Sequence, residues 1–389
     1  MLELYSGESV RKGVAAYYLA AALFSASPAF VASVYVPFLL SKGIGFRGVA
    51  LVNSFYIASV SLLSIPAGAI ADRFGRGLSA SLGELSLSAG LVLYSLAGSI
   101  RGFLAAEFMA AIGAALFTGS LEAWVVRLLT SHGRGEDVPK VFGTAGMLCW
   151  LAGVIAAFAG GVIAERSRES AFLAGGVCST IGALAVASLI GRGEAPSERL
   201  SYTEIFSRGI PVIKRKAVAL LISSLAFRSL GNPSFTLTWA PRLESLGASR
   251  SLMGLLGSIF MGVTGVFQYV GGKVASRLGP RRTLIIASLL SAVSFPLMAV
   301  SRRVPLFSAS ALLFEAGLGL GSPAASWWFN RLIEEELRAT LIGLRRCLTS
   351  ASGIIGVTAT GLLSDSLGVE ACLWWATAPF LVSSLLAAC

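Results

Sequence analysis

The stretch Gly68-Ala69-Ile70-Ala71-Asp72-Arg73-Phe74-Gly75-Arg76 decides the reading of this chain. It closes an apolar run with an acid, two arginines and a glycine. Gly68 lets another helix approach closely, and Gly75 allows a tight turn. Asp72 stands where a carboxylate can meet a helix N-terminus or a basic partner. A second version lies 204 residues on, as Gly272-Lys273-Val274-Ala275-Ser276-Arg277-Leu278-Gly279-Pro280-Arg281-Arg282. The same ungapped offset pairs Pro37 with Pro241, Gly43 with Gly247, Gly113 with Gly317, Trp124 with Trp328, Arg127 with Arg331 and Arg134 with Arg338. Glycine matches alone are weak in this composition. Trp, Arg and Pro matching at one offset mark an internal duplication.

Outward from these loops the chain is apolar. Of its 389 residues 55% are hydrophobic and only 13% are charged, with a mean hydropathy of +0.78. Soluble domains carry about 25% charged residues, so an ordinary soluble enzyme is excluded, as is a disordered or fibrous chain. The 44 glycines fit helices packed closely in lipid. A span needs about 20 apolar residues. Twelve such runs are expected, near 14–40, 48–71, 78–98, 102–127, 141–164, 171–190, 217–241, 251–272, 283–300, 304–330, 340–363 and 370–388. The first follows Arg11 and Lys12 like a signal peptide, but its apolar run is too long for one. An N-terminus inside places 21 of the 31 Lys and Arg in cytoplasmic segments and nine outside, so both termini are expected in the cytoplasm. This orientation reads the formal charge of +11 as a topology signal and not as a nucleic-acid surface. The expected organisation is a six-helix bundle at 1–190, a cytoplasmic loop at 191–216 and a second six-helix bundle at 217–389. An even number of spans per half makes the halves parallel repeats.

The loop at 68–76 resembles the signature loop of the major facilitator superfamily, GxxxDRxGR. The copy at 272–282 has Ser276 in place of the acid, as is common there. Gly119-Ser120-Leu121-Glu122-Ala123-Trp124 and Arg338-Ala339-Thr340 are similar to a poorly characterised, drug-efflux-like branch. The resemblance covers the whole chain. It implies an all-α membrane protein of twelve transmembrane helices that moves a small molecule by alternating access. Two features depart from the drug–proton antiporters. Glu107 stands where they carry arginine, and the glycines of the fifth span, from Gly143 to Gly161, include no Gly-Pro pair.

Charge inside hydrocarbon costs about 2.5–3.5 kcal/mol per residue, so the five charged residues inside spans, Glu84, Glu107, Glu122, Arg228 and Glu315, are candidates for function. Their counterparts at the offset are Ser288, Ala311, Ser326, Phe24 and Ala111. None of these is charged, so the repeat does not explain the five. At about 1.5 Å per residue, Arg228 and Glu315 lie roughly 16–18 Å deep. They are expected either to handle substrate and protons or to form a structural ion pair. Glu107 is grouped with them. Gly68, Asp72, Arg73, Gly75, Arg76, Glu122, Arg127, Arg345 and Arg346 are expected at a cytoplasmic gate, where snorkelling to headgroups is the simpler alternative. Trp124, Trp327, Trp328, Trp374 and Trp375 read as interface belt. Pro28, Pro233 and Pro323 favour bending.

The only histidine is His132, and the five cysteines form no CxxC, so no metal site is expected; the thiols read as buried. No GxxxxGK[ST] is present to power transport, and no nucleophile triad is visible. The expectation is a secondary active transporter of the plasma membrane, not an enzyme, monomeric and without cofactor. Its partners would be a small-molecule substrate, protons and the lipid bilayer, with no nucleic acid. Export of drug-like or amphipathic compounds leads; uptake of a metabolite anion or lipid transport on the same scaffold are the alternatives.

Overall fold

A computed structural model describes residues 7–191, 215–333 and 338–389. The expected loop at 191–216 lies almost wholly outside the described residues. Fifteen α-helices occur among them: α1 (Glu8–Ala29), α2 (Tyr35–Ser41), α3 (Phe46–Phe74), α4 (Arg76–Leu96), α5 (Ile100–Ser131), α6 (Val138–Ala164), α7 (Arg168–Leu189), α8 (Lys216–Gly231), α9 (Pro233–Thr236), α10 (Trp239–Ser245), α11 (Arg250–Leu278), α12 (Pro280–Val300), α13 (Val304–Leu332), α14 (Arg338–Leu367) and α15 (Val369–Ala388).

The duplication appears in the helix bounds themselves. At the offset of 204, α2, α3 and α4 superpose end for end on α10, α11 and α12, and α5 starts where α13 starts. Gly75 (φ 101°) and Gly279 (φ 84°) make the same turn between consecutive helices, in a backbone region that only glycine enters freely. The first and seventh expected spans are broken. α1 ends one residue after Pro28, and Asn232-Pro233 interrupts the seventh. Pro323 lies inside an unbroken α13.

Nine of these helices, α3, α5–α7 and α11–α15, are long and apolar enough to cross a membrane. α4 is not among them, because it carries Glu84 and several serines and glycines. Large apolar side chains point outward along the helices. Leu62 is 73% exposed, Leu184 64% and Leu385 66%, surface that water would penalise and lipid accepts.

The chain divides into two compact units, Met1–Phe38 with Phe55–Ser197 and Ser249–Ser258, and Leu39–Ser54 with Glu198–Ala248 and Ile259–Cys389. In the first, Val14, Tyr17, Leu121, Val125, Leu129 and Val141 form a core. In the second, Leu221, Leu284, Phe329 and Leu341 do so. Helix pairs inside each unit close on glycine. A methyl at Gly113 would sit 2.7 Å from the Gly83 carbonyl oxygen, and one at Gly317 would sit 2.7 Å from that of Ala287, the repeat-equivalent contact. Each unit also caps a helix start with a carboxylate. Phe46 and Arg47 N–H donate to Asp365, at 2.8 and 2.9 Å, in the second unit. In the first, Ser251 N–H and Oγ donate to Glu165, at 2.8 and 2.9 Å.

The cysteines are not uniformly buried. Cys372 is buried, Cys149 and Cys178 are half-buried, and Cys347 and Cys389 are exposed. An apolar sequence context does not distinguish a core-facing position from a lipid-facing one.

Candidate functional site

In the first unit, the break after α1 carries Tyr35 to the start of α2. Its hydroxyl donates to Glu107 of α5 at 2.7 Å and lies 3.2 Å from the Tyr94 hydroxyl of α4. Glu107 is 7% exposed. Tyr94 stacks on Phe172 and meets Phe103, with Phe38 beyond, so the acid sits beside an aromatic wall. Glu84 is fully buried. Ser179 Oγ donates to one carboxylate oxygen at 2.5 Å, and the other has no hydrogen-bond partner among the described residues.

The second unit places Arg228 of α8 in the bundle interior. Its guanidinium donates to Ser288 Oγ at 2.9 Å and to the Gly317 carbonyl at 3.4 Å, and lies over the Phe380 ring at 5.5 Å. Gly321 leaves its space: a methyl there would sit 2.8 Å from a guanidinium nitrogen. Ser288, Ser383 and Ser224 continue the chain of hydroxyls. Ser288 and Ser383 are the offset equivalents of Glu84 and Ser179. The duplicated frame therefore holds a carboxylate in one unit and a guanidinium in the other.

The expected ion pair between Arg228 and Glu315 does not form. Glu315 accepts instead from Thr264 Oγ1 of α11. The cause is helical phase: Glu315 lies two residues before Gly317, about 200° around α13 from the face that receives Arg228. Among the described residues no Lys, Arg or His pairs with Glu107 or Glu315.

Glu122 reaches an exposed position on α5 and lines two adjoining cavities of the first unit. One, of about 580 Å³, is walled by Tyr17, Phe24, Phe117 and Phe142. The other, of about 590 Å³, adds Arg76 and Arg127. Of the remaining residues expected at the gate, Gly68 is half-buried on α3 and Gly75 makes the turn into α4. Arg73 is exposed with its guanidinium over Phe74. Asp72 falls in the last turn of α3, and its side chain lies outside the described residues. Arg345 stacks on Phe329 at 4.7 Å, and Arg346 is exposed.

Sequence reasoning missed Tyr35, Tyr94, Thr264 and Ser179. A hydroxyl side chain in an apolar run was the available signal, but serine and threonine are too frequent in such runs to single these out.

Residues 218–389 match the family model of the Major Facilitator Superfamily. The chain is 22% identical over 310 residues to the class H tetracycline resistance protein of Pasteurella multocida, covering 74% of this chain and 72% of that one. It is 25% identical over 225 residues to the multidrug efflux pump Tap of Mycolicibacterium fortuitum, covering 55% and 53%. In fold it is similar to the nucleoside transporter NupG, with a TM-score of 0.80 at 13% identity over 97% of this chain and 99% of that one. These likenesses support a multi-pass membrane transporter of the Major Facilitator Superfamily, whose family model matches the second half of the chain.

Proposed function

We propose that the protein is a proton-coupled exporter of amphipathic small molecules, working by rocking of the six-helix halves 1–190 and 217–389 about a cytoplasmic connection at 191–216. The observation that carries the coupling is the way Glu107 and Glu315 are held. Each buried or half-buried carboxyl is bound through hydroxyls, Tyr35 at Glu107 and Thr264 at Glu315. A hydroxyl both donates and accepts, so the same contact survives when the carboxyl gains a proton. An arginine partner would hold the carboxyl in its charged form. Export is supported by the efflux relatives, whose names specify tetracycline resistance and multidrug efflux.

In this reading Gly68, Asp72, Arg73, Gly75, Arg76, Glu122, Arg127, Arg345 and Arg346 form the cytoplasmic gate, and both termini face the cytoplasm of a plasma-membrane protein. Arg228, the residue first expected to bind a metabolite anion, is engaged by Ser288, Gly317 and Phe380 inside the bundle, which favours export over anion uptake. The test is purified protein in liposomes with an imposed pH gradient and a panel of chloramphenicol, tetracycline and ethidium. Gradient-driven accumulation of at least one compound is expected, lost in Glu107→Gln or Glu315→Gln while its binding persists. Accumulation unchanged in both variants would refute the coupling role.

A further inference from the structure

We infer that Glu84 is the site of a bound proton: it is a carboxylic acid in the folded protein, and its O–H ties α4 to α7. This proton is distinct from those assigned to transport, and its presence does not rest on the transport reading. The Ser179 hydroxyl lies 2.9 Å from the Glu84 backbone carbonyl and 2.5 Å from one oxygen of the Glu84 carboxyl. A hydroxyl has one hydrogen and two lone pairs. A carbonyl oxygen only accepts, so that hydrogen goes to the backbone. The second contact then needs a hydrogen from the carboxyl, which an ionised carboxylate does not have. Taken alone, the 2.5 Å contact fits donation from Ser179 to a carboxylate. Taken with the backbone contact, its direction reverses.

The surroundings agree with a neutral group. Glu84 is fully buried, and among the described residues no Lys, Arg or His pairs with it. An isolated charge in an apolar interior is far more costly than a neutral acid. The other carboxyl oxygen has no hydrogen-bond partner among the described residues and packs on Gly182, where a methyl would strike it. An unpaired neutral carbonyl costs less there than an unpaired charged oxygen. The neighbouring thiol of Cys178 donates to the Leu23 carbonyl at 3.7 Å. About one turn to either side along α4, Ser81 donates to the Ala183 carbonyl at 3.0 Å and Ser88 to the Gly176 carbonyl at 2.8 Å. Glu84 is the middle rung of this ladder onto α7.

The duplicated frame meets the same need differently. Ser288 and Ser383, the equivalents of Glu84 and Ser179, are 3.2 Å apart, and Arg228 donates into their contact at 2.9 Å. The residue equivalent to Arg228 is Phe24, which stacks on Phe117 and has no hydrogen to give. With no donor arriving from α1, the acid of the first unit carries its own.

The test is infrared spectroscopy of the full chain in lipid nanodiscs at about pH 7, where a solvated glutamate is ionised. Isotope-labelled glutamate carboxyls mark the bands. A protonated-carboxyl band that disappears in Glu84→Gln is expected. The Glu107→Gln/Glu315→Gln double variant should keep that band, and it decides the matter even if Glu84→Gln does not fold. Ser179→Ala removes the acceptor and should move the band to higher frequency, because hydrogen bonding lowers a carboxyl's carbonyl stretch. A double variant that shows only ionised glutamate, or a Glu84 band unmoved by Ser179→Ala, overturns the inference. Glutamine can donate to Ser179 as the acid does, so Glu84→Gln should keep the gradient-driven movement that Glu107→Gln and Glu315→Gln lose. Loss of that movement in folded Glu84→Gln would make the proton a transported one and overturn its fixed role. Absence of movement in the wild type overturns the transport reading and leaves the infrared bands to decide this one.

Discussion

Replacing Asp365 tests whether a carboxylate from one helix secures the start of another. Phe46 and Arg47 open α3, where the first amides of a helix have no partner inside it. Both donate to Asp365, one to each oxygen. The Arg47 guanidinium is 3.8 Å away and largely exposed, so it adds little. Loss of a capping side chain costs about 0.5–2 kcal/mol. Loss of a negative charge at a helix start costs about 0.3–1 kcal/mol more. Asp365→Ala should therefore destabilise the first turn of α3 by about 0.8–3 kcal/mol. Asp365→Asn retains one acceptor and should lose about half as much. Irreversible unfolding of a large membrane protein blurs a global midpoint, so the suitable assay is site-resolved hydrogen exchange in nanodiscs. Exchange at the Phe46 and Arg47 amides should speed roughly four- to 150-fold in the alanine variant. The Ser251 amide, held by Glu165 at the repeat-equivalent helix start, should not change. Unaltered exchange at 46 and 47 would show that solvent satisfies these amides and that the carboxylate contributes nothing.

At the equivalent cap, the Ser251 N–H and hydroxyl hold the Glu165 carboxyl below the usual carboxylate range. A depressed folded value means that the cap's contribution is present above the unfolded value and is lost as pH falls through the depressed one. Protection of the Ser251 amide, taken relative to its intrinsic exchange rate at each pH, should fall on acidification through that window, and Glu165→Gln should remove the dependence. Gly317→Ala forces a methyl against the Ala287 carbonyl and should cost about 1–3 kcal/mol. It should visibly shorten the half-life at elevated temperature, whereas Gly143→Ala, with open space at its Cβ, should not. Arg228→Met removes a buried charge without stranding a carboxylate. The double change with Glu315→Gln should be additive in stability within about 0.5 kcal/mol, and a larger coupling would restore the ion pair that the helical phase argues against.

The duplication, most of the long apolar helices and the turn at Gly75 were legible in the sequence because each depends on local chemistry. A glycine at a positive φ, a proline at a break and an apolar run of spanning length act within a few residues, and duplication repeats them at one offset. The identities of the intramembrane charges were equally legible, since hydrocarbon makes every one of them costly. Their partners were not. Which face of α13 meets α12 is set by how Gly317 and Gly321 allow the helices to approach, and that approach directs Arg228 to Ser288 and leaves Glu315 to Thr264. The caps on α3 and α11 come from residues 319 and 86 positions away in the chain, a separation across which local propensity carries no information. Glu122 reads as a gate residue from its distance to Arg127, and it lines a cavity with Arg127 and Arg76. Its place on an aromatic cavity wall depends on the rotation of α5 against α1 and α6, which only the packed side chains of the first unit determine.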